Sequence, residues 1–290
     1  MSVRLVFTAL AAFTLAQAAG PIQISVRARS FEPGELIVLT IVPPGPTEHV
    51  RVRAFDRDVP AYQDGDAWRA IVGVDLDVKP GAYRVTVDSG AGEHAARGTY
   101  DLRIEPRVFR TRRLTVDEAL VTPPASEQPR IARETALLAA TWQSSVRGRL
   151  WTTAFVRPVP QASNSAFGTR SIFNGQRRTS HGGADFLSPA GTLIGAPNAG
   201  RIIVARNLYF SGNTVIIDHG LGVFSMLAHL SVIDVKEGEA VTPGQRIGLV
   251  GATGRVTGPH LHWAVRAGEA RVDPLSLLAV LGQEPLVVKD

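Results

Sequence analysis

Apolar and polar residues alternate through the first third of the chain. Ile22-Gln23-Ile24-Ser25-Val26, Val50-Arg51-Val52-Arg53-Ala54-Phe55 and Tyr83-Arg84-Val85-Thr86-Val87 all keep a two-residue period, as half-buried strands do. Leu36-Ile37-Val38-Leu39-Thr40-Ile41-Val42 is a denser run, stopped by Pro43-Pro44-Gly45. Turn signals recur at Pro33-Gly34, Asp64-Gly65, Pro80-Gly81 and Ser89-Gly90. Many short strands at this spacing predict an immunoglobulin-like β-sandwich over residues 20–108.

The pattern then changes. Arg107 to Arg113 is basic, and Pro123-Pro124 breaks any element. From Arg130 to Trp142 the period lengthens, and Ile131, Thr135, Leu138, Ala139 and Trp142 fall on one helical face. Pro129 suits the first turn. Residues 109–150 therefore read as a linker with a short packing helix. From 151 to 290 strand signals return at Arg201–Ala205, Thr214–Asp218, Gly222–Leu227, Gly248–Gly251 and Leu261–Val265. Helical period is weak there until Pro274–Leu281. The expected fold class is all-β, with a mostly antiparallel second domain.

Composition narrows the picture. The length of 290 residues suits two domains, and 44% hydrophobic residues suffice for real cores. No cysteine occurs, so disulfides are excluded and any metal needs nitrogen and oxygen ligands. Arg4, the apolar run Leu5–Ala16 and the small residues of Ala16-Gln17-Ala18 predict a signal peptide over 1–19. The run is too short to span a bilayer. An uncleaved anchor is the competing reading; otherwise the protein is exported, with no span after cleavage. The formal charge is +5, and every basic residue is arginine except Lys79, Lys236 and Lys289. Such a balance suits an anionic wall polymer, and a coding bias toward arginine explains it equally well. No nucleic-acid motif is present.

The chemistry lies in the second domain. Four of the seven histidines sit there in short motifs. His260 and His262 flank Leu261 in a strand-like segment and share one face. In His181-Gly182-Gly183-Ala184-Asp185 the glycines argue against a helix and let both end residues bend toward one ion. His229 closes the strand Phe224–Ala228. All five side chains can bind metal or move a proton. Two histidines with a carboxylate are the usual ligands of a catalytic zinc that keeps a position open for water. His219 reads as a turn residue, and His49 and His94 as solvated loop residues.

Residues 151–275 resemble the lysostaphin/LytM-type zinc metallopeptidases that cut peptidoglycan peptides. The matching stretches begin with Ser165-Ala166-Phe167-Gly168-Thr169-Arg170, His181-Gly182-Gly183-Ala184-Asp185-Phe186 and Ala199-Gly200-Arg201-Ile202. Gly212 to Gly220, Ala228-His229-Leu230-Ser231 and Val241 to Gly248 follow. Gly251-Ala252-Thr253-Gly254-Arg255 through Gly258-Pro259-His260-Leu261-His262-Trp263 closes the set. The resemblance implies a duplicated-hybrid-motif sheet in a peptidase domain over 151–290. It implies one Zn2+ per chain on His181, Asp185 and His262, with His229 and His260 as the catalytic histidines. It also implies peptidoglycan stem or bridge peptides as substrate, in the periplasm, the envelope or the medium. One departure is Leu227, where the family often has an aromatic residue. Two rival classes remain: a catalytically silent wall-binding regulator, and a sugar-phosphotransferase domain, against which the export signal, Asp185 and the His-x-His pair count.

Overall fold

Eight strands build the first domain: β1 (Gln23–Ala28), β2 (Leu36–Val42), β3 (Val50–Ala54), β4 (Arg57–Val59), β5 (Ala61–Asp64), β6 (Ala67–Gly73), β7 (Gly81–Ser89) and β8 (Ala96–Ile104). They pair antiparallel in two sheets, β1-β2-β6-β5 and β4-β3-β7-β8, the strand order of an immunoglobulin-type sandwich. The computed structural model describes residues 21–90, 95–115, 122–164, 166–177 and 179–282. The expected signal segment and His94 lie outside them, and His49 is exposed.

Alternation explains the sandwich core. Ile37, Leu39 and Ile41 of β2 meet Val52 and Ala54 of β3, Val85 and Val87 of β7, and Leu102 and Ile104 of β8. The strand expected to reach Phe55 stops at Ala54, because Phe55 and Asp56 both take left-handed φ, +49° and +59°, and turn the chain into β4. The density of β2 also has a cause. Its other face, with Leu36 and Val38, joins the core of the second domain, as does Ile71 of β6.

The linker contributes structure to the second domain. β9 (Thr111–Leu114) pairs in parallel with β10 (Arg170–Phe173), which also pairs with β11 (Gln176–Arg177). α1 spans Gln128–Thr141. Its covered side carries Ile131, Glu134, Leu137, Leu138, Thr141 and Trp142, whereas the expected Thr135 and Ala139 are exposed. The face is rotated because Glu134 is needed inward: Oε2 accepts from Tyr209 N at 2.7 Å and Oε1 from Arg130 Nε at 2.7 Å. Apolar periodicity does not register a carboxylate that packs inward.

The main sheet contains β12 (Gly183–Phe186), β13 (Leu193–Gly195), β14 (Gly200–Leu208), β15 (Gly212–Asp218), β16 (Val223–Ile233), β17 (Ala240–Val241), β18 (Arg246–Val250), β19 (Leu261–Ala267) and β20 (Ala270–Val272). Its order is β12-β19-β16-β15-β14-β17, all antiparallel, with β18 joining the far half of β16. α2 (Pro274–Leu281) begins at Asp273, whose side chain accepts from Leu275 N at 3.0 Å. Among the described residues no helix is long and apolar enough to cross a membrane.

Charged and apolar contacts join the two domains. Glu35, 1% exposed, accepts from Arg29, Arg107 and Ser276. Arg29 also reaches Asp273 at 2.8 Å, and Arg271 grips Asp75 and Asp77 at 2.6 Å each. A carboxylate as deep as Glu35 is tolerable only with such partners. Gly73 leaves room for Ala267 and Ala270, where a Cβ would sit 2.9 and 2.7 Å from theirs.

Candidate metal centre

Strand register brings the motifs together. Asp185 of β12 stands opposite His262 of β19, and His262 stands opposite Ala228 of β16, next to His229. Leu261 and Trp263 are buried on the core face, so His262 points to the open one. His260 lies just before β19, in a bridge with Gly251. His181 precedes β12, whose first residue lies so close to β19 that only glycine fits: a Cβ on Gly183 would come 2.5 Å from Trp263 O and 2.8 Å from His262 Cε1.

Ligand atoms of His181, Asp185 and His262 all lie within 4.8 Å of one another. His181 Nε2 is 3.0 Å and His262 Nδ1 is 2.9 Å from Asp185 Oδ1. The His181 and His262 rings meet edge-on at 4.7 Å. Hydrogen-bond chemistry shows what this arrangement wants. His181 Nδ1 lies 3.0 Å from the carbonyl of Ala166. A carbonyl only accepts, so Nδ1 carries the proton. In the neutral ring Nε2 is then a lone pair, aimed at a carboxylate oxygen. Acceptor against acceptor is repulsive unless a cation lies between them. Two imidazoles and one carboxylate, with no thiolate, form a hard-to-borderline donor set that fits zinc.

The other two histidines are oriented the same way. His229 Nδ1 donates to Thr253 O at 2.9 Å, and His260 Nδ1 to Gly258 O at 2.9 Å. Their rings lie 4.9 Å apart, and His260 Nε2 is 3.8 Å from Asp185 Oδ1. Both Nε2 atoms are therefore acceptors while the rings are neutral. Burial, with His262 nearby, pushes the pKa of His229 down to about 4. Burial pushes His262 down as well, against Asp185. Burial raises the Asp185 carboxyl, but the imidazoles of His181 and His262 beside it outweigh burial and hold it well below the usual carboxylate range.

All five predicted residues are thus brought to one place, and His219 is not among them. It is wholly buried: Nδ1 donates to Ala199 O at 2.8 Å, and Ser225 Oγ donates to Nε2 at 2.9 Å. Sequence reading missed the backbone carbonyls of Ala166, Thr253 and Gly258, which no side-chain pattern announces. It also ended the strand too early. β16 runs through His229, which sits at φ +68° where the register with β15 shifts.

Comparison with known proteins adds independent findings. Residues 179–274 match the model of peptidase family M23. A crystal structure from Pseudomonas aeruginosa, named for peptidase M23, is 32% identical with a TM-score of 0.67 and covers 86% of this chain and 95% of its own. Peptidoglycan DD-endopeptidase ShyA of Vibrio cholerae is 48% identical over 88 residues, 30% of this chain and 20% of that protein. DD-carboxypeptidase/endopeptidase Mpg of Neisseria meningitidis is 42% identical over 97 residues, 33% and 22% of the two chains. The match thus spans about a fifth of the length of these curated relatives.

Proposed function

The chain belongs to peptidase family M23, and from that premise we propose that it is an exported zinc-dependent endopeptidase that hydrolyses peptide cross-links or bridges of bacterial peptidoglycan. One zinc per chain is held by His181, Asp185 and His262. The observation that carries this reading is the convergence of His181, Asp185 and His262, whose ligand atoms all lie within 4.8 Å of one another. The name of ShyA, a peptidoglycan DD-endopeptidase, supports peptidoglycan as substrate, and the name of Mpg supports an endopeptidase. In this reading residues 20–108 orient the enzyme on its polymer, 109–150 link, and 151–290 carry the reaction.

Zinc bound there supplies Lewis acidity and brings water toward ionisation near neutral pH. The protein's own groups do the rest. His260 and His229 each have Nδ1 held by a backbone carbonyl and Nε2 turned toward the substrate, and burial keeps His229 neutral. One takes the proton of the attacking water. The resulting imidazolium then donates to the developing charge or to the leaving amine. A proton so gained by His229 is passed on readily, because its burial disfavours the charged form.

Three purified variants test the assignment. His262→Ala should lose zinc. His229→Ala and His260→Ala should keep zinc but lose turnover by roughly a hundredfold or more, as befits a general acid–base group. The readouts are metal content and mass spectrometry of fragments released from several purified walls. Zinc retained in His262→Ala and lost in His260→Ala would reverse the roles. A wild-type protein that releases no wall peptide would end the peptidase reading.

A further inference from the structure

The metal centre touches the first domain and the linker through one small turn. His181 is aimed by its bond to Ala166 O, and its backbone is tied to the same turn twice: Gly168 N donates to His181 O at 2.8 Å, and His181 N to Thr169 O at 2.9 Å. Thr169 N closes the turn on Ala166 O at 3.1 Å. The turn itself carries no charged group. Its place depends on what holds Phe167 and Gly168.

Three holds are visible, and all come from outside the peptidase domain. Phe167, 5% exposed, lies on Gly34 of the sandwich, at φ +90°, where any Cβ would collide with the ring. Gly168, at φ +75°, lies under the ring of Phe109, again with no room for a Cβ. Arg107 stacks over both rings, at 5.1 Å from Phe109 and 5.8 Å from Phe167. Those rings meet edge-on at 6.3 Å. The guanidinium is fixed in turn by Pro33 O at 3.1 Å and Glu35 Oε1 at 3.0 Å. One residue on, Arg170 N donates to Arg110 O at 2.8 Å and opens the parallel ladder of β9 with β10.

We infer that Arg107, Phe109 and Phe167 are positioning residues of the metal centre, a clamp through which the sandwich and linker fix the ring of His181. This rests on the zinc ligands proposed above. The clamp works through the Ala166 carbonyl. If the turn shifts, the bond to Nδ1 is lost, and with it the tautomer and ring plane that present Nε2. Outer hydrogen bonds of this kind change metal affinity by about 10–100-fold.

The test is zinc affinity of the full chain, by competition with a chelator of known strength, well below the unfolding temperature. Phe109→Ala removes the ring over Gly168. Arg107→Lys keeps a charge for Glu35 but loses the planar stack. Each should bind zinc roughly tenfold more weakly, or worse, with far-ultraviolet circular dichroism unchanged. Arg27→Ala is the control. It breaks a bond to Val280 O, 2.6 Å long, across the same domain boundary but away from the turn, and should bind zinc as the wild type does. Unaltered affinity in Phe109→Ala, or an equal loss in Arg27→Ala, overturns the clamp while leaving the metal centre standing. A wild type that binds no zinc overturns both, before any variant is made.

Discussion

His219 makes the fold sensitive to acid. It sits against Phe155, ring centroids 5.0 Å apart, and burial pushes its pKa down to about 4. The unfolded chain, with an ordinary imidazole near 6.5, takes up its proton first as pH falls. Stability from this residue is therefore complete above about pH 6.5 and drains away toward pH 4, by up to about 3 kcal/mol. Urea melts of metal-stripped protein at several pH values should show that slope. His219→Gln should be less stable at neutral pH yet lose less between pH 7 and pH 4.5, about the window named. An identical slope in the variant would assign the acid sensitivity to other groups.

Among the elements, β16 shows how one residue decides geometry. His229 takes a left-handed φ of +68° in mid-strand. The half before it pairs with β19 and the half after it with β18, while β15 runs along both with a shift of register at the bulge. Such strain in a residue other than glycine needs outside support. Ser211 O accepts from His229 N at 2.9 Å, and Thr253 supplies more: its carbonyl holds Nδ1, and its Oγ donates to Leu230 O and accepts from Asn213 N. Thr253→Val would leave Asn213 N without that partner. It should cost about 1–3 kcal/mol in denaturant melts, and should reduce turnover while zinc stays bound. Turnover equal to wild type would mean the bulge holds without the hydroxyl.

The same element marks how far the sequence could be read. Two-residue alternation located β2 and the seeds of most others, and the spacing of His260 and His262 announced a shared face. A bulge defeats that logic. Leu227 and Leu230 are both fully buried although three positions apart, so alternation points to a strand end where there is only a kink. β9 left no trace because its four residues, Thr111 to Leu114, have no apolar period and pair with a strand about sixty residues on. Carbonyl partners are illegible in principle, since every residue has one.

At the scale of the whole molecule the two domains share a core. Leu36, Val38 and Ile71 of the sandwich belong to the same apolar cluster as Trp151, Phe155 and Val272. A fragment beginning at residue 109 would expose that cluster and strip the partners from Asp273 and Arg271. It should unfold at lower urea than the full chain and over a broader range, and should bind a hydrophobic dye before melting. An equally sharp transition at the same midpoint would show the catalytic half to be self-sufficient.

The shared core also sets an order of events. Sandwich strands lie between Gln23 and Ile104, so their pairings close early and over short loops. The outer side of β2 and β6 then waits for Trp151, 80 residues after Ile71, and for Val272 and α2, about two hundred residues after it. Until those segments arrive, a finished sandwich carries a wet strip of leucine, valine and isoleucine. That interval is when a chaperone is most needed and when two nascent chains most readily join by mistake. Closure of α2 over the strip, with Ser276 reaching Leu36 N and Glu35, is the step that ends the exposure.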